Sequence, residues 1–240
     1  MSTLLLVPLD DIVVFPNMNV TVDVEVGDEE RVLLVPRHEG EYAPVGTVAE
    51  VGERVRLPGG GRAVNLIGHD NILKILDLNA ALAPYAHPGA WNDPNAMLIG
   101  TGALTPTEER AQLSLWSMLA APLIAGGDLS TASRATLSVL TNREVIAVDQ
   151  DPAGKQGTRV VHGANYQVWL RTLSDGSHAL LLLNSGSRAA TLRTDIPSLG
   201  LPFRSSYLVH ELWRHRSYQT TGRVSARVQP HDVLMVKVNA

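Results

Sequence analysis

The sequence contains no cysteine, little aromatic content and no excess of basic residues. Without Cys, disulfide bonds, thiolate metal sites and a cysteine nucleophile are all excluded. Aromatic residues make up 5% of the chain, and the formal net charge is −4. Because no stretch gathers Lys and Arg, we expect neither nucleic acid nor a membrane surface as a partner. The 45% of apolar and 18% of charged residues are typical of a globular protein.

The chain also lacks a long hydrophobic run near its start. The apolar stretch Leu4–Leu9 follows no basic residue and is ended by Asp10 and Asp11. A signal peptide needs a basic beginning, and a membrane span needs about 20 apolar residues. We therefore predict neither, and we expect the chain to be cytoplasmic.

Residue patterns for metal or phosphate binding are missing as well. The glycine-rich stretch Pro58–Gly61 is not followed by the Gly-Lys-Ser/Thr of a phosphate loop, so it predicts a turn or linker. The histidines of the last third have irregular spacing rather than that of a ligand pair. They are His162, His178, His210, His215 and His231. We expect no metal and no cofactor.

What the chain does contain is three regions with different patterns, the first of them rich in short strands. Residues 1–69 carry Val- and Leu-rich runs separated by Asp, Pro, Asn and Gly, which is typical of strands and turns. The predicted strands are Leu4–Leu9, Ile12–Phe15, Val20–Val26 and Val32–Val35. This region is predicted to be a small β-rich segment.

The second region, residues 70–156, alternates helix and strand patterns. An amphipathic helix over Ile72–Leu78 is predicted to begin with Asp70 as its N-cap. Thr105–Glu108 has the sequence of a capping box and predicts a second helix. The apolar stretch Pro122–Gly127 predicts a buried strand, and a helix over Ser133–Leu140 follows. This alternation indicates a parallel α/β arrangement.

The third region, residues 157–240, is predicted to contain only strands and turns. The stretch Ser174–Ser177 lies between two strand patterns, Gln167–Leu173 and His178–Leu183, and predicts a hairpin. Four further strands are expected at Ala189–Thr194, Ser206–Trp213, Arg223–Val228 and Asp232–Val238. Turns at such short spacing favour an antiparallel β-sandwich.

The stretch Pro88–Gly100 is the best candidate for a binding site. It holds a Trp, two Asn, an Asp and two Pro close together, which suits a sugar: an aromatic ring covers the C–H face, and Asn or Asp bonds hydroxyl groups. The alternative interpretation is a turn at the end of a strand, with Trp91 as a core anchor. The residues alone leave both open.

Three collinear blocks, Trp91–Asp93, Leu115–Leu129 and Leu140–Gly157, resemble glycoside hydrolase family 27, the α-galactosidases. The resemblance covers residues 71–240. It implies the last two strands of a (β/α)8 barrel with their helices, followed by an antiparallel β-sandwich. It also implies an α-galactoside substrate and a retaining mechanism with two carboxylates. The substrate-binding positions that it implies are Trp91, Asn92, Asp93, Asn95 and Ala96, although the family has Asp and Met where Asn95 and Ala96 stand.

Neither catalytic segment of that family is found in this sequence. The nucleophile lies in a Lys-Tyr-Asp type segment, and no lysine here is followed by Asp two positions later. The acid/base lies in an Arg-x-x-x-Asp segment, but Leu66 stands four residues before Asp70. Asp149 and Asp151 match the connector from barrel to sandwich, where we expect them to brace a turn. We therefore name no catalytic residue, leave open whether the chain is an enzyme, and expect it to be inactive alone.

The N-terminal region resembles a different family. The stretches Leu6–Met18, Arg31–Arg37 and Pro44–Val48 are similar to the N-terminal domain of Lon proteases. This resemblance implies a partial protein-binding barrel and unfolded polypeptide as a partner. The alternative function is therefore a non-catalytic binding module, in which this segment binds peptide or the sandwich binds sugar. The expected domains are 1–69, 70–156 and 157–240.

Overall fold

The structure is a computed structural model, and it describes residues 4–10, 19–24, 26–42, 47–56, 62–68 and 72–239. It divides into two compact units, Met1–Lys74 and Ile75–Ala240. In the described part of the chain, no helix combines the length and the apolar character needed to cross a bilayer.

The first unit is a mixed sheet with the strand order β1-β3-β5-β6-β2, and β4 pairs with β3. Its strands are β1 (Leu5–Asp10), β2 (Asn19–Asp23), β3 (Arg31–His38), β4 (Glu41–Tyr42), β5 (Thr47–Arg56) and β6 (Arg62–Gly68). Strands β1 and β3 run parallel, and the other pairs are antiparallel. Apolar side chains of β1 and β3 form the core with Val26 and Ala49.

The strand predictions for this unit are confirmed in part. The strand that was expected over Val20–Val26 ends at Asp23, and a turn with Gly27 at φ +56° follows. The expected strand Ile12–Phe15 and the expected linker Pro58–Gly61 lie outside the described residues. On either side of that stretch β5 and β6 pair antiparallel, with Arg56 opposite Arg62.

The second unit begins with a helical layer. Its helices are α1 (Ile72–Ala80), a 3-10 turn (Ala83–Tyr85), α2 (Pro106–Leu119), α3 (Arg134–Leu140) and α4 (Arg143–Asp149). The capping box is confirmed: Thr105 N donates to Glu108 Oε2 at 2.9 Å, and Glu108 N donates to Thr105 Oγ1 at 3.4 Å. At α3 and α4 only the N-cap side chain takes part: Ser133 accepts the Thr136 N–H, and Asn142 accepts the Glu144 and Val145 N–H groups. Asp70, the expected cap of α1, lies outside the described residues.

The prediction of a buried strand over Pro122–Gly127 is wrong. Only Ala125 forms a parallel bridge, to Met97, and the Ile124 side chain is 55% exposed. A strand is defined by its neighbours, and this extended stretch has one described neighbour instead of two. Its bonds to Met97 are the Met97 N–H donating to Ile124 O at 2.8 Å and the Gly126 N–H donating to Met97 O at 2.9 Å.

Side chains of helix α2 form hydrogen bonds to the other edge of the extended segment that contains Met97. Trp116 Nε1 donates to Asn95 O at 2.8 Å. Gln112 Oε1 accepts the Leu98 N–H at 2.8 Å, and Glu109 Oε1 accepts the Gly100 N–H at 3.0 Å. Positions 109, 112 and 116 share one face of a helix. This row of bonds explains why Glu109 and Gln112, both polar, are buried.

The rest of the second unit is a β-sandwich, as predicted. Six strands form one sheet in the order β12-β11-β14-β9-β8-β7, and β10 and β13 pair separately. The strands are β7 (Thr158–His162), β8 (Tyr166–Thr172), β9 (His178–Asn184), β10 (Ala190–Asp195), β11 (Tyr207–Glu211), β12 (Arg216–Thr220), β13 (Arg223–Val228) and β14 (Val233–Asn239). The predicted hairpin at Ser174–Ser177 is confirmed, whereas β7 and β12 were not predicted.

The central strands of the six-stranded sheet, β8, β9 and β14, are buried on both faces. One face packs on β10 and β13 through side chains such as Leu182, Leu192 and Val224. The opposite face carries the cross-strand row Trp169, Leu181 and Met235, and helix α2 packs against the three strands that hold this row. Burial on both faces explains why β9 and β14 are almost continuously apolar.

Polar bonds join α2 to the sandwich at the edge of this interface. Arg110 forms an ion pair with Asp232, and its Nε donates to Asp232 Oδ1 at 3.0 Å. The Trp213 indole N–H donates to Ser114 Oγ at 2.9 Å. The helical layer and the sandwich therefore form one compact unit.

Gln112→Met is expected to lower the free energy of unfolding by about 1–3 kcal/mol. Met is unbranched and fits the space, but it leaves the Leu98 N–H buried without an acceptor. Urea unfolding followed by circular dichroism measures the change. The control is Gln219→Met on β12, where the side chain is exposed and a negligible change is expected. Equal stability of both variants would show that the bond to Leu98 contributes nothing.

Candidate functional site

The candidate sugar-binding stretch forms an irregular loop between the 3-10 turn and α2. Residues 91–96 lie in neither helix nor strand. Positive φ angles occur at Gly89 (+87°), Asn95 (+86°) and Gly100 (+83°). Gly reaches such angles freely, and Asn tolerates them better than most residues. The loop therefore has a defined shape that depends on these residue types.

Trp91 lies at the surface of this loop and is 48% exposed, so the alternative interpretation of a core anchor is wrong. Its ring lies close to Gly154, and Pro88 is close to the same glycine. A Cβ on Gly154 would lie 2.8 Å from Trp91 Cη2, which is too close for a larger residue. Gly154 also has φ +57°, a backbone conformation that residues with a side chain rarely adopt. Part of the indole is thus supported by the protein and part remains accessible to a ligand.

The side-chain NH2 group of Asn92 donates both of its hydrogen bonds to acceptors within the protein. Its Nδ2 donates to Leu82 O and to Gln156 Oε1, both at 2.7 Å. Gln156 Nε2 in turn donates to Asn79 O at 3.1 Å. This chain of amides ties the loop to the end of α1 and to the connector that leads into the sandwich. The geometry gives Asn92 a positioning role.

The next residues fold the loop back on itself. Asp93 Oδ1 accepts the Asn95 N–H at 2.8 Å, and Asn95 Oδ1 accepts the Ala96 N–H at 2.7 Å. Trp116 holds the Asn95 carbonyl. Asp93 is exposed, whereas Asn95 and Ala96 are half-buried. The local backbone therefore explains why position 95 is a short polar residue, because the Asn95 side chain stabilises a backbone with positive φ.

Of the five predicted positions, Trp91 and Asp93 are the ones that expose their side chains. An indole surface and a carboxylate two residues apart suit a sugar ring, with the apolar face on the indole and hydroxyls on the carboxylate. The prediction missed two residues of the connector: Gly154, which lies against Trp91, and Gln156, which accepts a hydrogen bond from Asn92. These contacts span more than 60 residues of sequence, and no local pattern reveals them.

Of the pair Asp149 and Asp151, the Asp151 carboxylate braces the connector, as predicted. Asp151 accepts bonds from Ser174 N and Ser174 Oγ at 3.0 and 2.7 Å, which fixes the turn between β8 and β9. Asp149 is buried, and its backbone carbonyl accepts a bond from Arg171 at 3.2 Å. Burial raises the pKa of Asp149 to about 6, against the lowering effects of Gln150 and Arg171. This carboxyl lies at the end of α4, near Arg171 of β8.

Several of the histidines pair with carboxylates of the helical layer. His210 Nε2 and His215 Nδ1 lie 2.8 and 3.2 Å from Glu144 oxygens, and His231 lies 2.9 Å from Glu108. Burial alone would raise the pKa of Glu144, but the bonds from the two histidines outweigh it, so the pKa is lowered. No three His, Asp or Glu side chains among the described residues form a metal-binding group.

The fold and the loop together define the class of protein. The chain has a short parallel pairing flanked by helices, an exposed Trp-Asn-Asp loop and a following β-sandwich. These are the parts expected at the end of a (β/α)8-barrel glycoside hydrolase. Residues 68–151 match the family model described as Alpha galactosidase A. Residues 163–238 match the model described as Alpha galactosidase C-terminal beta sandwich domain. Residues 68–238 thus correspond to the C-terminal part of the family 27 α-galactosidases.

Individual relatives agree with the family models. An alpha-galactosidase of Oryza sativa subsp. japonica is 38% identical over 159 residues, which cover 66% of this chain and 38% of the rice protein. Alpha-galactosidase 3 of Arabidopsis thaliana is 40% identical, over 64% of this chain and 36% of that protein. The chain spans less than half the length of the curated relatives it matches.

Solved structures share the fold. Alpha-galactosidase I from Mortierella vinacea aligns with a TM-score of 0.67 and 27% identity, over 70% of this chain and 44% of that chain. The alpha-galactosidase from Saccharomyces cerevisiae with raffinose aligns with a TM-score of 0.65 over 72% of this chain and 52% of that chain; at 23% identity it shows the fold alone. The expected fold class, a partial barrel followed by a sandwich, is confirmed.

The raised pKa of Asp149 gives a prediction for the pH dependence of stability. Because the folded protein holds this proton more tightly than the unfolded chain, the stabilisation is complete below about pH 4 and is lost as the pH rises through about 6. Between about pH 4 and 7 the wild type should lose about 2 kcal/mol relative to Asp149→Asn. Urea titrations at several pH values measure this difference.

Asp151→Asn is the matched control, because the net effect of burial and the Ser174 bonds lowers the pKa of Asp151. The stabilisation that Asp151 gives the folded protein is present above the ordinary pKa of a carboxyl and is lost in acid. The difference in unfolding free energy between the wild type and Asp151→Asn should therefore change with pH in the direction opposite to that for Asp149→Asn. Parallel pH profiles for the wild type and Asp149→Asn would contradict the prediction.

Proposed function

We propose that residues 68–238 serve as the C-terminal part of an α-galactosidase-type glycoside hydrolase. In this function the loop supplies one wall of a pocket for a terminal α-galactoside. Trp91 covers the C–H face of the sugar, and Asp93 accepts hydrogen bonds from its hydroxyls. Asn92, Asn95 and Ala96 shape the loop that presents these two side chains. The chain binds galactose weakly by itself and does not hydrolyse galactosides.

The observation that carries this proposal is the contrast between a fixed backbone and exposed side chains. The loop is held by Asn92 and by Trp116, which bond to Leu82, Gln156 and Asn95. Trp91 nevertheless keeps 48% of its surface exposed. A binding site needs side chains that are positioned before the ligand arrives, since less entropy is then lost on binding.

The carboxylates of the helical layer argue against hydrolysis by this chain alone. A retaining glycosidase needs two carboxyls about 5–5.5 Å apart, one of them with a raised pKa to act as acid. Asp77 is paired with Arg159, whereas Ser130 and Ser174 bond Asp128 and Asp151 and lower their pKa values. Asp149 has the raised pKa, but it is buried at the end of α4.

A second candidate function belongs to the N-terminal sheet. Strand β1 is the end of the strand order, and its Leu5 and Leu6 side chains are 41% and 45% exposed. An edge strand with exposed apolar side chains can accept an extended peptide as an additional strand. This binding of unfolded polypeptide is the function that the Lon-like sequence implies.

Trp91→Ala is expected to abolish galactose binding by the chain. Galactose should change the tryptophan fluorescence of the wild type with a dissociation constant on the order of 1 mM or weaker, since only one wall of the pocket is present. The control is Phe203→Ala, because Phe203 is 82% exposed on the sandwich and should leave binding unchanged. A response of the wild type to an unfolded polypeptide but not to galactose would support the second candidate instead.

Purified chain is expected to release no product from an aryl α-galactoside above the rate in buffer. The physical reason is the missing carboxylate pair, without which neither attack at the anomeric carbon nor protonation of the leaving oxygen is catalysed. The measurement is the absorbance of the released phenol, with an active α-galactosidase as positive control. Hydrolysis that disappears in Asp93→Asn would show that the loop itself holds a catalytic group.

A further inference from the structure

A cavity of about 410 Å³ lies on the sandwich. It is lined by residues of the sandwich strands, namely Glu211, Arg216, Tyr218, Arg223 and Ser225. Strand β12 is the outermost strand of the six-stranded sheet, and β13 belongs to the two-stranded sheet, so the cavity opens between edge strands of the two sheets. Its volume is within the range of about 300–1,000 Å³ that is usual for small-molecule sites.

Glu211 fixes the position of a cationic side chain in this cavity. Its side chain is 6% exposed, and it lies opposite Arg216 in the pairing of β11 with β12. Arg216 Nε and Nη2 donate to Glu211 Oε1 at 3.1 and 2.8 Å, and Arg214 Nη1 donates to Oε2 at 3.2 Å. The two guanidinium groups thus balance the buried charge. The Nη1 group of Arg216, which bonds to no other described residue, is left to bind a ligand.

Arg223 adds a second cation to the lining. Its side chain is 70% exposed, and its Nε lies 3.5 Å from Oδ1 of Asp195, which is also exposed. Exposed ion pairs of this kind contribute little, so Arg223 can exchange Asp195 for a ligand carboxylate at small cost. Because Arg214 offsets Glu211, Arg216 and Arg223 make the cavity attractive to an anion, although the whole chain has a net charge of −4.

Tyr218 contributes an aromatic surface to the same cavity. Part of its ring packs against the core of the sandwich, and the remainder lines the cavity. Burial and the nearby Glu211 raise the pKa of Tyr218, so its hydroxyl group keeps its proton at neutral pH and can donate to a ligand. Ser225 Oγ donates to Leu192 O at 3.1 Å, and its lone pairs can accept a hydrogen bond from a ligand hydroxyl. An aromatic ring, a donor and an acceptor beside two guanidinium groups suit a sugar ring with an acidic group.

We propose that this cavity binds a saccharide that carries a carboxylate. The carboxylate lies on Arg216 and Arg223, since a guanidinium group matches a planar carboxylate with two parallel hydrogen bonds. The C–H face of the sugar lies on Tyr218, and Ser225 accepts a bond from a hydroxyl group. This site goes beyond the proposed function, because a neutral galactoside has no group that pairs with the two arginines.

Titration with galacturonate, followed by ligand-observed NMR at low salt, tests the proposal in the full chain carrying Trp91→Ala, so that the loop makes no contribution. This chain should bind galacturonate with a dissociation constant on the order of 1 mM and should not bind galactose. Adding Arg223→Gln should weaken galacturonate binding by about tenfold, and the exposure of Arg223 means that the fold is retained. Arg188→Gln is the matched control, because Arg188 is exposed between β9 and β10 and does not line the cavity.

Three results would overturn the proposal. Equal binding of galactose and galacturonate would show that the carboxylate is not recognised, and equal affinity of the Arg223→Gln and Arg188→Gln chains would place the ligand elsewhere. Displacement of galacturonate by acetate at the same concentration would show that the sugar ring contributes nothing. Galactose binding to the wild type is measured separately, so the proposed function of the loop and the proposed acidic-sugar site can fail independently.

Discussion

The second unit depends on one constraint: an extended backbone segment must bond its N–H and C=O groups even where no strand lies beside it. Helix α2 meets this requirement with Glu109, Gln112 and Trp116, which bond the segment 95–100 from one helical face. Such a row works because residues three and four apart on a helix lie above one another. Without it, buried amide groups would be left without partners at a cost of about 1–3 kcal/mol each.

The same helix also joins the candidate site to the sandwich. Its opposite surface packs on β8, β9 and β14, and it bonds Asp232 and Trp213 through Arg110 and Ser114. Ten of its fourteen residues are buried, so α2 has hardly any face left for solvent. The sandwich therefore supports the loop indirectly, because it fixes the helix that in turn fixes the loop. A barrel fragment with so few strands remains ordered through this support.

Local chemistry explains which parts of this arrangement the sequence revealed. The capping box at Thr105 and the hairpin at Ser174–Ser177 depend on neighbouring residues alone, so both were predicted correctly. The stretch Pro122–Gly127 was predicted wrongly, because its apolar content describes a strand in a complete sheet. The role of Asn92 could not be foreseen either, since its partner Gln156 is 64 residues away. Long-range bonds and missing neighbours leave no local pattern.

Binding and chemistry are separable in this architecture for a geometric reason. A barrel draws its catalytic groups from the ends of several strands, whereas an aromatic platform and a hydroxyl acceptor fit on one loop. In the proposed function this loop contacts the sugar in the same way in the ground state and in the transition state. Uniform binding of this kind retains a substrate without lowering the barrier to reaction. In the proposed function the loop with Trp91 and Asp93 therefore recognises the sugar, and hydrolysis requires carboxylates that other strands place opposite it.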